Sequence, residues 1–372
     1  MCDKITDTKL CEKLRTVGEK FLLKGEFDSC SLITRGNINT TYQVNYKNPE
    51  KSYIFQKVNT YVFREPRHIM RNIDLVTEHI RKKNQDTDKP SLHFYHTESR
   101  DNFWFDDDGE FWRVFNFVTG TVTYQISSDS EIIYMAGRAF GEFQTHLSDF
   151  DASLLYETIP DFHNTKKRLE KFFEDVEKDE FSRVKEAYEE IEYIRSRRER
   201  ASLLTNMLEE DKIPLRVTHN DTKINNVLFD EITKEPVVVI DLDTVMPGLA
   251  AHDFGDAVRF AANTALEDEP DTSKVSLDLD LYRAFAEGFV EATAGELDES
   301  EINSLALGAF TITVELALRF LDDYITGDKY FKTDYNGHNL VRCRCQLALA
   351  RDMEKKFDEM NKIVLETAAK KG

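Results

Sequence analysis

The chain has 372 residues, a length that usually divides into more than one hydrophobic core, and 41% of its residues are apolar, including 26 phenylalanines. Acidic residues outnumber basic ones by 69 to 49, which gives a formal net charge of −20. A field of this sign repels nucleic acid and anionic membranes, so it argues against both as partners. The composition predicts a well-packed globular protein that must bind anionic ligands through local donors and metal ions.

The N-terminal residues are polar and charged and do not resemble a signal peptide. We find no run of about 20 apolar residues that could span a bilayer. The five cysteines show neither a CxxC pair nor a histidine-paired metal spacing, and their odd number is typical of reduced thiols. These features favour a cytoplasmic protein, and no motif indicates an obligate protein partner.

The first third of the chain has the pattern of strands with one helix. Residue type and turn signals predict strands over residues 31–46, 51–59, 91–97 and 103–120, with turns at 48–50 and 107–109. A helix is predicted from Pro66 to residue 84, because apolar side chains recur on one face at Ile69, Ile73, Val76 and Ile80.

The remaining two thirds are mainly helical. Helical periodicity covers residues 130–148, 166–210, 278–292, 299–325 and 338–369. One β-rich island, residues 215–243, interrupts the helices. The sequence therefore predicts an α+β protein with a small β-rich lobe (1–118) that binds nucleotide and a larger helical lobe (119–372) that carries catalysis and substrate.

The β-rich island carries the strongest functional signal. His219, Asp221 and Asn226 form an H-x-D-x-x-x-x-N motif, and Asp241 follows an apolar strand twenty residues after Asp221. Phosphoryl transfer needs one carboxylate beside the attacking oxygen and separate oxygen ligands that hold Mg²⁺ on the phosphates. Either element alone occurs often by chance, but together they favour a kinase with Asp221 as base and Asn226 and Asp241 as metal ligands.

The motif HNDTKINNVLFD followed by VIDLDTVMPGLAAHDFGD resembles the aminoglycoside phosphotransferase and choline kinase superfamily, small-molecule kinases with the protein-kinase fold. The flanking segments, among them NINTTY, FWRVFNFV and HNLVRCRCQ, are most similar to the N-acetylhexosamine 1-kinases. The resemblance implies a bilobal fold with ATP between the lobes and Mg²⁺ on Asn226 and Asp241. It also implies transfer to the anomeric hydroxyl of GlcNAc or GalNAc, with His219 and Asp253 bracing the catalytic loop.

The small lobe contains a polar turn and a departure from the superfamily. Gly36, Asn37, Asn39 and Thr40 could cover phosphates, or could form an ordinary hairpin turn. Gln56 stands where the superfamily has a phosphate-binding lysine.

By strand alternation Lys57 points to the opposite face from Gln56. Either the register slips by one residue, or an amide and a metal ion hold the phosphate instead of a lysine. Whether a lysine forms an ion pair with Glu78 depends on which alternative applies. Backbone groups from Phe115 to Phe117 are expected to meet adenine.

The acceptor site is predicted from the helix over 299–325. Arg319 is the leading sugar contact, with Tyr324 nearby and Phe260 as a flat apolar patch, although a surface salt bridge and core packing are the alternatives for Arg319 and Phe260. The competing functions are a kinase for another small alcohol or sugar, a catalytically silent nucleotide-binding scaffold, and a metal-dependent hydrolase.

Overall fold

The computed structural model of the protein describes residues 2–4, 7–34, 38–85, 87, 89–293 and 295–370. Helices account for 50% of the protein, which divides into two compact units. Unit 1 comprises Met1–Thr121, Leu154–Thr158 and Ile240–Val245; unit 2 comprises Val122–Ser153, Ile159–Val239 and Met246–Gly372. The predicted lobe boundary at 118 and 119 stays a prediction, and two later segments join the N-terminal residues in unit 1.

Unit 1 is an antiparallel sheet with two helices. Its strands are β1 (Cys2–Lys4), β2 (Glu26–Ile33), β3 (Thr40–Lys47), β4 (Lys51–Val58), β5 (Trp104–Phe105) and β6 (Phe111–Asn116), in the order β1-β2-β3-β4-β6-β5. The helices are α1 (Thr8–Lys20) and α2 (Pro66–Lys83). The prediction of α2 is confirmed, because Pro66 opens the helix and Ile69, Ile73 and Val76 are buried along one face.

The strand predicted over residues 91–97 is wrong, since the segment makes only an isolated bridge between Phe94 and Phe115. The cause is competition for one sheet edge. The outer edge of β6 pairs with β5 at its start, through Phe111 and Trp112. Only its last residues remain for the segment around Phe94, where the Tyr95 N–H donates to the Val114 carbonyl.

Unit 2 contains eight helices among its described residues. They are α3 (Ser130–His146), α4 (Thr165–Lys178), α5 (Tyr188–Ala201), α6 (Leu203–Glu209), α7 (Ala250–Ala261), α8 (Leu279–Ala292), α9 (Glu299–Ile325) and α10 (His338–Ala369). The short strands are β7 (Thr121–Val122), β8 (Arg216–Thr218), β9 (Val227–Asp230), β10 (Pro236–Val239) and β11 (Met246–Gly248). The stretch predicted as helical over 166–210 is three helices; α4 ends at Asp179, whose backbone is left-handed.

Helix α9 forms the centre of unit 2. It begins with a capping box between Asp298 and Glu301, and its Phe310, Val314 and Leu318 side chains belong to the main core. It is also long and apolar enough to cross a membrane, contrary to the sequence expectation, but 83% of its most apolar window is buried in the protein. That burial is typical of a core helix.

Helices α7 and α9 touch through two glycines. A Cβ added at Gly308 would lie 2.0 Å from the Ala251 carbonyl oxygen, and one added at Gly255 would lie 2.4 Å from the Gly308 carbonyl oxygen. Backbone atoms cannot move away as a flexible side chain can, so the two helices approach only because both positions lack a side chain. This close approach fixes α7, which braces the loop described next.

Candidate active site

The loop of unit 2 that runs from β8 to β9 contains the H-x-D-x-x-x-x-N motif. Asp253 on α7 is fully buried and accepts hydrogen bonds from the backbone N–H groups of His219 (2.8 Å) and Asn220 (2.7 Å), and from the Gln144 amide (2.8 Å). Burial raises the pKa of Asp253, although these donors favour its ionised form. The predicted bracing role of Asp253 is confirmed.

A second carboxylate on α7 braces the same loop. Asp256 accepts a hydrogen bond from the Thr222 N–H at 3.1 Å and pairs with Arg259 at 2.8 Å. Asp253 and Asp256 are three residues apart, so both lie on the helix face that meets the loop. Sequence reasoning missed Asp256, although the three-residue spacing in HDFGD could have identified it.

Asp221 lies between a cation and an amide. One of its carboxylate oxygens is 2.6 Å from the Lys223 ammonium, and the other is 3.3 Å from the Asn226 amide nitrogen. His219 is buried, and its Nδ1 accepts a hydrogen bond from the Asp221 N–H at 3.3 Å. Asn220, directly before Asp221, has a left-handed backbone with φ of 62°, a strained conformation that often marks functional positions.

Lys223 was not recognised in the sequence, although it stands only two residues after Asp221. Burial lowers its pKa, but attraction to Asp221 and Asp256 outweighs this effect and holds the pKa above its ordinary value. Its ammonium also lies 5.4 Å from the centre of the Phe260 ring, and Arg259 stacks on that ring at 4.0 Å. The Phe260 ring and the Asp221 carboxylate therefore both lie beside the Lys223 ammonium.

The leading predicted sugar contact, Arg319, lies among aromatic rings. Its guanidinium carbon is 5.3 to 5.9 Å from the ring centres of Phe162, Tyr330 and Phe331. Within the described part of the chain, no group accepts a hydrogen bond from this guanidinium. Tyr330 was missed because it follows the end of α9, where the chain turns back at Gly327.

Tyr324 occupies a packing position instead of the predicted sugar site. It is buried in the main core of unit 2, and its hydroxyl donates to Glu186 at 2.6 Å. Burial and this bond raise its pKa to about 12. Five residues separate Arg319 from Tyr324, a rotation of about 140° around a helix, so the two side chains leave α9 on different faces.

In unit 1, Asp241 is the second residue of the segment Ile240–Val245. Asp241 is exposed and its backbone is left-handed, with φ of 62°. Asp243 is buried, pairs with Arg113, and accepts a hydrogen bond from the Asn39 amide at 2.8 Å. At the end of the segment, the Val245 carbonyl accepts from Asn72 at 2.9 Å.

Gln56 lies in a row of polar residues across three strands. The β3–β4–β6 register aligns Thr41, Gln56 and Arg113 without a shift at these positions. The Gln56 amide donates to Thr41 at 3.0 Å and accepts from the Arg113 Nε at 2.9 Å. Lys57 instead pairs with Glu110 at 2.8 Å. The two side chains therefore have separate partners, as alternation predicts.

The other predicted nucleotide contacts have mixed outcomes. Gly36 and Asn37 lie outside the described residues. Thr40 opens β3, and Asn39 bonds Asp243 and the Asn59 N–H. Phe115 is on β6.

The Asn116 and Phe117 N–H groups donate to the His93 and Ser52 carbonyls. Both donors are thus satisfied within unit 1. That backbone groups from Phe115 to Phe117 meet adenine stays a prediction.

The donor chemistry of Asn226 and Asp241 fits Mg²⁺, which prefers oxygen ligands. The Asn226 nitrogen donates to Asp221, while its Oδ1 accepts no hydrogen bond from any residue that the structure describes. Asp241 contributes an exposed carboxylate.

A separate carboxylate group on unit 1, Asp106, Asp108 and Glu110, has metal-like spacing. Lys13 already pairs with it, at 2.7 Å from Asp106 and 2.9 Å from Asp108. Burial raises the pKa of Asp106, but hydrogen bonds from Lys13 and Trp112 bring it down to about 2. The Lys13 ammonium thus supplies the positive charge that a metal would bring.

A model of the phosphotransferase enzyme family matches residues 29–288, more than half of the chain. The chain belongs to this family. As the motifs predicted, it is a small-molecule phosphotransferase of the aminoglycoside phosphotransferase and choline kinase superfamily.

Solved structures of three other proteins cover nearly the same length as this phosphotransferase. A microcompartment-associated aminopropanol kinase is 13% identical over 94% of this chain and 98% of its own, with a TM-score of 0.56. A choline kinase from Cryptosporidium parvum Iowa II is 14% identical over 94% and 96%, with a TM-score of 0.55.

An aminoglycoside phosphotransferase from Alicyclobacillus acidocaldarius is 13% identical over 90% and 92%, with a TM-score of 0.52. Identities this low establish the fold alone, and the predicted protein-kinase-like α+β fold is confirmed.

Proposed function

We propose that this phosphotransferase transfers the γ-phosphate of ATP to the anomeric hydroxyl of an N-acetylhexosamine, GlcNAc or GalNAc, and releases the sugar 1-phosphate and ADP. Asp221 is the catalytic base, and Asn226 and Asp241 are the ligands of Mg²⁺. Arg319 and Phe260 contact the sugar. Gln56 contributes an amide to the nucleotide side, where a lysine is absent.

The observation that carries this proposal is the environment of Asp221. Its carboxylate is fixed by Lys223 at 2.6 Å and by the Asn226 amide, on a loop whose backbone is held by two buried carboxylates of α7. A base held this firmly can orient a hydroxyl without reorganising during the reaction.

The transfer is a balanced exchange of one bond for another. As the bond from the γ-phosphorus to the ADP oxygen breaks, the anomeric oxygen bonds to phosphorus, and its proton passes to Asp221. An anomeric hydroxyl is more acidic than an ordinary alcohol, so Asp221 can accept the proton late. The Lys223 ammonium stabilises negative charge developing beside Asp221. Mg²⁺, when bound, neutralises charge on the β- and γ-phosphates.

The charges around the acceptor residues favour a neutral substrate. A quaternary ammonium binds in an aromatic cage, and an aminoglycoside carries several positive charges. Here the aromatic rings of Phe162, Tyr330 and Phe331 are already occupied by the Arg319 cation, and Phe260 is flanked by Arg259 and Lys223. A guanidinium without a hydrogen-bond acceptor suits hydroxyl and acetamide oxygens.

The substrate is tested by measuring ADP release from Mg·ATP with GlcNAc, GalNAc, glucose, galactose, choline and kanamycin, beside a reaction without acceptor. We expect the two N-acetyl sugars to dominate and their product to lose its reducing end. Dominance of a cationic acceptor would overturn the sugar assignment but keep the kinase. Rapid ADP release without acceptor would favour a hydrolase. Binding of Mg·ATP without turnover would favour a catalytically silent scaffold.

The base is tested by Asp221→Asn. Because general-base catalysis contributes about 10²- to 10⁴-fold, we expect kcat to fall by that factor while ATP affinity, measured by calorimetry, changes little. Asp230→Asn is the matched control, since Asp230 only caps the surface turn after β9. Near-normal turnover of the Asp221 variant would remove Asp221 from the mechanism.

A further inference from the structure

Unit 1 contains a buried ion pair with an unusual set of partners. Arg113 is 2% exposed and Asp243 is 4% exposed, and their side chains are directly bonded. The Arg113 Nε donates to Gln56, and the second oxygen of Asp243 accepts from Asn39. Every partner is itself held by another described residue, since Gln56 bonds Thr41 and Asn39 bonds the Asn59 N–H.

Such a pair is a poor device for stability alone. Burying two charges costs about as much as their attraction returns, so an apolar pair of similar volume often stabilises a fold as well. A buried pair is better explained when it fixes one arrangement of the chain. Arg113 and Asp243 are 130 residues apart, and they fasten the segment 240–245 to the sheet.

The segment is fastened at its middle and at its end, while its first aspartate is exposed. Arg113 and Asn39 hold Asp243, and Asn72 on α2 holds the Val245 carbonyl. Asp241 precedes these anchors by two and four residues and has a left-handed backbone, which a non-glycine residue keeps only where its surroundings enforce it.

The Arg113–Asp243 ion pair is present where the lysine–glutamate pair between position 56 and Glu78 is not formed. Position 56 is a glutamine and not a lysine. The neighbouring Lys57 pairs with Glu110, and Glu78 on α2 pairs with Arg81 one helical turn away. Among the described residues that contact Gln56, the cation is Arg113, on the neighbouring strand.

We propose that Arg113 is a positioning residue that, through Asp243, holds Asp241 in the conformation that binds the metal of the metal–nucleotide complex. This inference rests on the proposed function only for the assignment of Asp241 as a metal ligand. In the sequence Asp241-Leu242-Asp243, the second aspartate is then not a metal ligand but the residue that anchors the first.

The test measures metal binding rather than turnover. The double variant Arg113→Gln/Asp243→Asn replaces the buried ion pair by two amides that can still hydrogen-bond. We expect the Kd of Mn²⁺ in the presence of ADP, followed by electron paramagnetic resonance, to rise about 10- to 100-fold, as when a residue supporting a metal ligand is lost. The affinity for metal-free ADP, which also reports on the Arg113–Gln56 bond, is expected to change less than the affinity for Mn²⁺.

Three further variants make the result specific. Asp241→Asn sets the size of the effect that loss of the ligand itself produces. Arg81→Gln removes an exposed ion pair between Arg81 and Glu78 on α2, and we expect it to leave the Kd of Mn²⁺ unchanged. Arg113→Lys keeps the charge but cannot bond Gln56 and Asp243 with the same geometry, so we expect partial recovery.

An unchanged Kd of Mn²⁺ in a double variant with native near-ultraviolet circular dichroism would overturn the proposal. If that variant does not fold, Asp243→Asn alone decides, because it keeps the shape and removes one charge; unchanged Mn²⁺ affinity there also overturns it. An Asp241→Asn variant that binds Mn²⁺ normally would instead contradict the metal assignment in the proposed function. Neither result depends on which acceptor is phosphorylated.

Discussion

At the scale of single residues, Asp322 on α9 couples stability to pH. One of its carboxylate oxygens is buried without a hydrogen-bond partner among the described residues, and burial, with Asp175 nearby, raises its pKa to about 6. Its ionised form is therefore disfavoured in the folded protein. Protonated Asp322 therefore contributes fully to the free energy of unfolding below the pKa of an unfolded aspartate, about 3.9. The contribution is lost as the pH rises through 6.

We expect Asp322→Asn to stabilise the protein at pH 8 and not at pH 4. Part of the shift is screened by solvent, so the gain at pH 8 is about 1 to 2 kcal/mol, or about 1 to 3 °C in Tm. Thermal unfolding followed by circular dichroism at both pH values measures it. Asp358→Asn at an exposed position of α10 is the control. Equal Tm changes at both pH values would contradict the assignment.

At the residue level, the proximity of two side chains could be predicted where the residues are close in sequence. Asp221 and Asn226 lie in one short motif, and the structure places their side chains 3.3 Å apart. Arg113 and Asp243 could not be paired in advance, because 130 residues separate them. A lone arginine within the apolar strand FWRVFNFV was nevertheless a signal, since a buried charge requires a partner.

At the scale of elements, the contact between α7 and α9 links the core to the loop between β8 and β9. We expect Gly308→Ala to destabilise the protein by about 1 to 3 kcal/mol, because the added methyl group would collide with the Ala251 carbonyl. As α7 moves, Asp253 and Asp256 should loosen the loop and lower kcat. Tm and kcat measured together check both effects.

The matched control is Asn303→Ala, at an exposed position of the same helix, where Tm and kcat should hardly change. A Gly308 variant with normal Tm would show that the helices can separate without cost, which would contradict the close approach as a constraint.

Element prediction was most successful where one face decides the structure. Helix α2 has a clear apolar stripe and a proline start, and its bounds agree with the prediction within one residue. The segment 91–97 has the composition of a strand, but whether it pairs depends on an edge already shared with β5. Composition does not contain that information.

At the scale of the whole molecule, the net charge of −20 opposes the approach of Mg·ATP, which is itself an anion. Salt screens this repulsion over a Debye length of about 10 Å at 0.1 M. We expect kcat/KM for Mg·ATP, at saturating Mg²⁺, to rise about two- to fivefold between 20 and 200 mM KCl. For the proposed neutral sugar acceptor, kcat/KM should stay constant. A fall for Mg·ATP would mean that local cations dominate its approach.

The fold class followed from the order of elements along the chain, strands first and helices later. The return of residues 240–245 to unit 1 did not, because it depends on Asn39, Asn72 and Arg113, which are distant from it in sequence. Local sequence patterns do not predict long-range polar contacts of this kind.

Helix α1 lies before residue 29, where the match to the family begins. Yet Leu14, Val17 and Phe21 are buried in the core of unit 1, and Lys13 neutralises carboxylates on the turn between β5 and β6. A fragment trimmed to residue 29 would uncover this apolar face and remove the Lys13 ammonium from Asp106 and Asp108. We therefore expect such a fragment to be less stable than the full chain.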